Sequence, residues 1–311
     1  MRKIYVWLFL VVSAVSGCRI EDAGHSGNLK VVCTTGMIGD ATKNLTEGLS
    51  DSIEVFTLMG PGVDPHLYKP SPDVVNILGN ADVIIHNGLH LEGKMADIFN
   101  RLKREKIIIE ISENLDEHRL LNATVANTGA HDPHIWFNVE LWAEAVRYLG
   151  SKLSLINGVS REKVLSNTEA YVYSLEELNN WVKDELEKIP TENRVMITSH
   201  DAFRYFGDAY NIDVMGLQGI STVAEFGLKD ITELVNFIVE EKIPAVFVES
   251  SVSGKSMQAV QEGCKSKGHN LEIGGTLYSD AMGAEGTPEG TYIGMVKHNV
   301  NTIVKALKSV Y

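Results

Sequence analysis

From residue 29 onward, short runs rich in valine and isoleucine alternate with amphipathic stretches. This alternation is typical of parallel strands joined by helical crossovers, and it predicts an α/β fold. The first set of predicted strands is 29–35, 53–58, 81–86 and 106–111, and the second set is 194–198, 213–217, 245–249 and 270–277. Helices are predicted between them at 38–49, 73–78, 91–104, 202–210, 228–241 and 255–267. We therefore expect two lobes, each with a mainly parallel four-stranded sheet flanked by helices.

One long helix is predicted between the two sets of strands. Residues 160–189 contain no glycine and no proline, carry apolar side chains at helical spacing, and are followed by Pro190. Ser160 is the predicted N-cap. Such a helix spans roughly 45 Å at about 1.5 Å per residue, enough to join two lobes rigidly. The predicted domains are an N-terminal lobe at 28–158, a linking helix at 159–189 and a C-terminal lobe at 190–311.

The start of the chain is predicted to be a signal peptide rather than part of the fold. Arg2 and Lys3 precede an apolar stretch, and small residues then lead directly to Cys18. That order resembles a bacterial lipobox, in which the cysteine becomes the acylated first residue of the mature protein. The alternative is a cleaved secretion signal with an incidental cysteine. We expect a lipoprotein signal peptide at 1–18, a flexible tether at 19–27, and an exported, periplasmic or cell-surface protein anchored to a bacterial membrane.

Charge and cysteine content narrow the class of protein. The formal charge of -13 disfavours a nucleic-acid partner, whose phosphates attract lysine and arginine. An acidic surface also raises the local concentration of cations, which suits a metal scavenger. Cys33 and Cys264 lie in apolar surroundings far apart in the sequence, so we expect both to be buried and no disulfide framework.

Four side chains are candidate metal ligands: His66, His134, His200 and Asp280. Each lies just after a strand-like run or at the start of the next helix, and ligands of open α/β sheets bind beyond the carboxyl ends of the strands. Three imidazoles and one carboxylate form a suitable set of ligands for zinc. They also suit manganese if the aspartate binds through both oxygens. His131 is close enough in sequence to be an alternative ligand or a neighbour of the site.

The chain resembles the zinc- and manganese-binding lipoproteins of bacterial ABC importers, the TroA and PsaA type. The motifs that carry the resemblance run in order along the whole chain. They are the lipobox ending at Cys18, Gly62-Val63-Asp64-Pro65-His66, Asn87-Gly88-Leu89-His90-Leu91-Glu92, Asp132-Pro133-His134-Ile135-Trp136, Ser199-His200-Asp201-Ala202-Phe203 and Ser279-Asp280-Ala281-Met282.

The resemblance implies a monomer that binds one metal ion between its lobes and delivers it to a membrane permease with a cytoplasmic ATPase. His66 and His134 would come from the first lobe, and His200 and Asp280 from the second. Zinc-dedicated members often carry a long histidine-rich loop before the second histidine, whereas residues 117–131 are short here. Manganese-dedicated members commonly have glutamate where this chain has His200. The transported ion is therefore expected to be Zn²⁺ or Mn²⁺.

Two other classes of protein compete with this interpretation. A zinc-dependent hydrolase also uses histidine and aspartate clusters, but it leaves one coordination position to water and needs a general base nearby. Glu249 and Glu285 are the carboxylates that could serve as such a base, although we expect structural or solvent-facing roles for both. A surface adhesin involved in cell adhesion is compatible with a lipid anchor, but no motif supports it.

Overall fold

The computed structural model describes residues 28–123, 130–223 and 226–308. The predicted signal peptide at 1–18, the acylated Cys18 and the tether at 19–27 lie outside the described residues. Within the described ranges, none of the helices combines the length and the apolar character needed to cross a membrane.

The first lobe is built on one continuous parallel sheet. Its elements are β1 (Leu29–Cys33), α1 (Gly36–Leu45), β2 (Ile53–Thr57), α2 (Pro72–Gly79), β3 (Val83–His86), α3 (Ala96–Leu102) and β4 (Ile107–Glu110). The four strands pair in the order β2-β1-β3-β4, all parallel. The central strands β1 and β3 carry adjacent apolar residues, Val31-Val32 and Val83-Ile84-Ile85, because both faces of such a sheet are covered. The four-stranded sheet predicted for this lobe is confirmed.

Two long helices join this lobe to the next. They are α4 (Val139–Leu153) and α5 (Arg161–Leu186), the latter about 39 Å long at about 1.5 Å per residue. Ser160 occupies the predicted N-cap position, although its side chain makes no capping hydrogen bond. α5 packs closely on α4 at Gly150, where an added Cβ would lie only 2.2 Å from the Oγ1 atom of Thr168. The linking helix is therefore packed tightly against α4 at this point.

The second lobe departs from the prediction of a single four-stranded sheet. Its elements are β5 (Val195–His200), α6 (Arg204–Tyr210), β6 (Asp213–Gln218), α7 (Leu228–Glu240), β7 (Ala245–Glu249), α8 (Lys255–Ser266), β8 (Glu272–Leu277) and α9 (Tyr292–Lys308). The strands form two parallel pairs, β5-β6 and β7-β8. β5 lies beside β7, but no backbone ladder between them is present among the described residues. The N–H of His200 is instead bonded to the side chain of Glu249, at 2.7 Å.

The largest hydrophobic core is shared by both lobes. It extends from the first sheet through α4, α5 and α9 to Met196, Phe247 and Leu277 of the second lobe. A smaller, separate core lies between the second lobe's strands and the helices α7 and α8. Cys33 and Cys264 are free and buried, as predicted. Because one core is common to both lobes, movement between them must be small or must cost buried apolar contact.

Candidate metal centre

The four predicted ligands come together in one buried cluster. Their donor atoms all lie within 4.8 Å of one another, and theirs is the one such group of three or more potential ligands found in the described part of the chain. His66 is 5% exposed, and the other three side chains are exposed by 2% or less. The sequence prediction that these side chains converge across the two lobes therefore agrees with the geometry of the structure.

The donor atoms face a common centre. The Nε2 atoms of His66 and His134 are 3.2 Å apart. One oxygen of Asp280 lies 3.4 Å from the Nε2 atom of His134, and the other lies 3.4 Å from that of His200 and 3.8 Å from that of His66. Each imidazole thus presents the same nitrogen to the carboxylate, which is the arrangement required for three nitrogen ligands and one acidic ligand on a single ion.

Local structure explains how each ligand reaches the centre. His66 follows β2 in a turn in which Gly62 adopts a φ of 72°, a conformation that glycine tolerates. His134 precedes a single 3-10 turn at Ile135–Phe137 rather than directly starting a helix, and α4 begins after it. His200 is the last residue of β5, and Asp280 lies three residues beyond β8. Strand ends place the second-lobe pair, and loops place the first-lobe pair.

Two buried carboxylates stand behind the histidines. Asp132 Oδ1 lies 2.7 Å from the Nδ1 atom of His134 and accepts the backbone N–H of the same residue at 3.0 Å. Glu249 contacts the Nδ1 atom of His200 closely and accepts its backbone N–H at 2.7 Å. A carboxylate at Nδ1 keeps the proton there and leaves the Nε2 lone pair free for a metal. Both carboxylates therefore orient ligands.

The sequence pattern did not indicate these orienting roles. Asp132 lies two residues before His134, and the recurrence of Asp-Pro-His was the available signal for it. The sequence favours a structural or solvent-facing role for Glu249 over that of a general base, but its contact with a histidine 49 residues away in sequence has no local signature. Glu285 is exposed and forms an ion pair with Lys43 at 2.7 Å, so it does not orient a candidate ligand.

The other histidines of the ranges that the structure describes lie outside the cluster. The Nε2 atom of His131 lies 3.8 Å from Glu117, and His131 does not belong to the group of four donor residues. The ring of His86 stacks on Phe99. Backbone carbonyls lie within hydrogen-bond distance of the rings of His269 and His298.

The charges of the cluster are strongly coupled. Burial lowers the pKa of His66 to about 4. Burial also opposes the charged form of His134, but Asp132 and Asp280 outweigh it and raise that pKa to about 9. The same opposition at His200 is outweighed by Glu249 and Asp280, which raise its pKa well above the ordinary value. Protons thus supply the positive charge that a metal ion would otherwise bring, and ion binding must displace them.

Several buried polar atoms of the cluster lack ordinary partners. Both carboxylate oxygens of Asp280 and the Nε2 atom of His200 have no hydrogen-bond partner within the residues that the structure describes. Burying such groups without a partner is costly, so they require an explanation. A divalent cation at the common centre would satisfy all three atoms. The donor set therefore fits a transition metal.

Comparisons with known proteins agree with this chemistry. Residues 31–306 match the family model described as the zinc-uptake complex component A periplasmic family. The chain is 46% identical to the manganese-binding lipoprotein MntA of Bacillus subtilis over 297 residues, which is 95% of each chain. It is 44% identical to the zinc-binding protein TroA of Treponema pallidum over 288 residues, covering 92% of this chain and 91% of TroA.

A solved structure extends the comparison to the fold. The periplasmic zinc-binding protein TroA of Treponema pallidum superimposes with a TM-score of 0.86 at 43% identity, over 90% of this chain and 99% of TroA. The sequence motifs, the converging ligands and the shared fold all lead to one assignment. The chain belongs to the family of periplasmic zinc-uptake component A proteins.

Proposed function

We propose that this protein captures a divalent transition metal, Zn²⁺ or Mn²⁺, outside the cytoplasm and delivers it to an ABC importer. The observation that carries the proposal is the buried group of three imidazole Nε2 atoms around the carboxylate of Asp280. Relatives of high identity are named as a manganese-binding lipoprotein and a zinc-binding protein, which supports either ion as cargo. The affinity order of divalent metals favours zinc in a flexible site.

The proposed site joins the lobes through the ion. His66 and His134 would bind it from the first lobe, and His200 and Asp280 from the second. Because ligands come from both lobes, the bound ion should stabilise the interface between them. Release to the importer would require that ligands be displaced, most simply by separating the lobes.

The cellular setting follows from the family and from the sequence. We propose that Cys18 carries the lipid anchor and that the partners are the permease and the ATPase of an importer, with the receptor acting as a monomer. The names of several relatives include the word lipoprotein, which supports the anchor. The domain boundaries at 158 and 189 remain a prediction, which the position of α5 supports.

The contacts of the carboxylates near the site support a receptor and not an enzyme. Glu249 is buried and contacts the Nδ1 atom of His200, and Asp132 is buried and contacts the Nδ1 atom of His134. Glu285 is exposed and paired with Lys43. Neither of the two candidate bases is therefore positioned to activate a water molecule on the ion, as a hydrolase requires.

The experiment compares thermal unfolding with and without metal. Zinc or manganese at a hundredfold excess over its Kd should raise the Tm of the full chain by about 5–10 °C. His66→Ala and Asp280→Ala should lose most of that rise, while His118→Ala, which alters an exposed histidine, should keep it. Equal shifts in all three variants would overturn the proposed site. Metal-dependent hydrolysis of esters or phosphates, or metal-independent binding to host matrix, would favour the competing classes.

A further inference from the structure

Each of the two candidate ligands of the first lobe ends its own copy of one short sequence motif. The motif reads Asp64-Pro65-His66 in one loop and Asp132-Pro133-His134 in the other. In both, Oδ1 of the aspartate accepts the backbone N–H of the histidine, at 2.8 Å and 3.0 Å. Aspartate commonly bonds the backbone two residues onward, and proline between them fixes the local φ. Each aspartate therefore sets the position of the ligand that follows it.

The other oxygen of each aspartate points to the second lobe. Oδ2 of Asp64 accepts the hydroxyl of Thr222, at 2.6 Å. Oδ2 of Asp132 lies 3.6 Å from Nη1 of Arg204. Thr222 follows β6, and Arg204 is the first residue of α6, so both partners belong to the second lobe. In both loops the second oxygen of the aspartate faces a side chain of the second lobe, through a hydrogen bond at Asp64 and through an ion-pair contact without a hydrogen bond at Asp132.

We propose that the two Asp-Pro-His motifs act as cross-lobe clasps that couple lobe closure to the placement of His66 and His134. With one oxygen each aspartate holds the backbone of a ligand, and with the other it holds the second lobe. Separation of the lobes pulls on the aspartates and loosens the two ligands at the same time. This inference rests on the proposed function and adds Asp64, Thr222 and Arg204 to it as positioning residues.

The two clasps differ in strength. Asp132 is fully buried, contacts the ring of His134 and faces a cation in Arg204. Asp64 is half-buried and receives a single neutral hydroxyl from Thr222. The charge of Arg204 attracts the buried carboxylate of Asp132 across 3.6 Å without a hydrogen bond, because little water screens a buried charge. The Asp64 clasp should therefore open first and release His66, which is also the most exposed of the four ligands.

The test measures metal release from the full chain. Protein loaded with Mn²⁺, and separately with Zn²⁺, is mixed with excess chelator, and the dissociation rate is followed by stopped flow. Thr222→Val removes the hydroxyl and keeps the shape, and it should accelerate release roughly threefold to tenfold. Thr222→Ser should restore the wild-type rate. Thr232→Val, at an exposed threonine of α7, is the matched control and should leave the rate unchanged.

Further variants distinguish a clasp from general destabilisation. Asp64→Ala should also accelerate release, and adding Thr222→Val to it should change the rate no further, because the two groups act as one pair. The Tm of the metal-free protein should be nearly the same in wild type and Thr222→Val. A wild-type release rate in Thr222→Val, or full additivity in the double variant, would overturn the clasp. If His66→Ala still bound metal normally, the proposed function itself would fail, which is a separate outcome.

Discussion

The two lobes hold their pairs of ligands in different ways. In the first lobe, one continuous four-stranded sheet supports both loops, and aspartates fix the backbone of His66 and His134. In the second lobe, His200 ends a strand of one pair, and Asp280 follows a strand of the other pair. The side chain of Glu249 reaches from β7 to the N–H of His200 and links the two pairs at that point.

This difference shows which lobe has strands that are linked by a side chain and not by a backbone ladder. Backbone ladders keep the first lobe in register, because each ladder bond is shared among neighbouring strands. The second half-site relies on Glu249 and on a separate small core beneath α7 and α8. A metal ion that binds both His200 and Asp280 would add a further link between the strand pairs. We therefore expect metal to stabilise the second lobe more than the first.

The largest effect should come from the carboxylates behind the histidines. Loss of such an orienting group costs about 10–100-fold in metal affinity. We expect Glu249→Gln to weaken binding more than Asp132→Asn, because Glu249 also links two strand pairs that no ladder joins within the described residues. Competition against a chromophoric chelator measures both Kd values. Equal losses in the two variants would remove the distinction between the lobes.

Acid should weaken metal binding through His134 and His200. Both histidines have a raised pKa, so in the metal-free site they hold protons that an ion must displace. For each displaced proton, apparent affinity should fall about tenfold per unit of falling pH around neutrality. His66, with a pKa of about 4, is already neutral there and should contribute little. Titration of Kd between pH 6 and pH 8 checks this, and a flat profile would contradict it.

The same protons set the stability of the metal-free protein. A histidine with a pKa raised to about 9 contributes stability that is fully present below its unfolded value near 6.5. That stability is lost as the pH rises through about 9. The Tm of metal-free protein should therefore fall from pH 7 to pH 9, and the metal-loaded protein should change less. The Tm gain on adding metal should grow over the same interval, which calorimetry measures directly.

Hydrogen exchange should locate a smaller effect within the fold. Metal should slow amide exchange in β5 and β7 of the second lobe and change β1 and β3 of the first lobe little, because in the described part of the chain the strands of the second lobe form two separate pairs, whereas those of the first lobe form one sheet. Mass spectrometry of the metal-free and of the zinc-loaded protein measures the exchange of both lobes in each state. Uniform protection across both sheets would show that the lobes respond as a single body.

Much of this architecture was readable from the sequence. Short apolar runs predicted all eight strands, and the absence of glycine and proline over residues 160–189 predicted α5 to within three residues at either end. The convergence of the four candidate ligands was also predicted, since strand ends in a parallel sheet meet at one edge. The helix α9 was not predicted. Its apolar residues follow a helical pattern, but the alternation of strands and helices along the chain ends before it.

The split of the second sheet was not predictable by the same reasoning. Apolar periodicity indicates that a segment is a strand, but it does not state which backbone groups pair across to a neighbour. The bond from Glu249 to His200 is made by a side chain and connects distant parts of the sequence. The orienting role of Asp132 was easier to predict, because Asp132 lies two residues before a histidine, as Asp64 does. Local repetition is visible in a sequence, and a single long-range contact is not.

The smallest effect should come from the ion pair that crosses the lobes on the surface. Lys43 of α1 and Glu285 of the second lobe are 2.7 Å apart, and both side chains are largely in solvent. Water and salt screen such a pair, and holding two long side chains costs entropy. Lys43→Met should therefore change metal affinity and release rate by less than about twofold. A release rate as fast as that of Thr222→Val would mean that surface charge, and not the buried Asp64 contact, keeps the lobes closed.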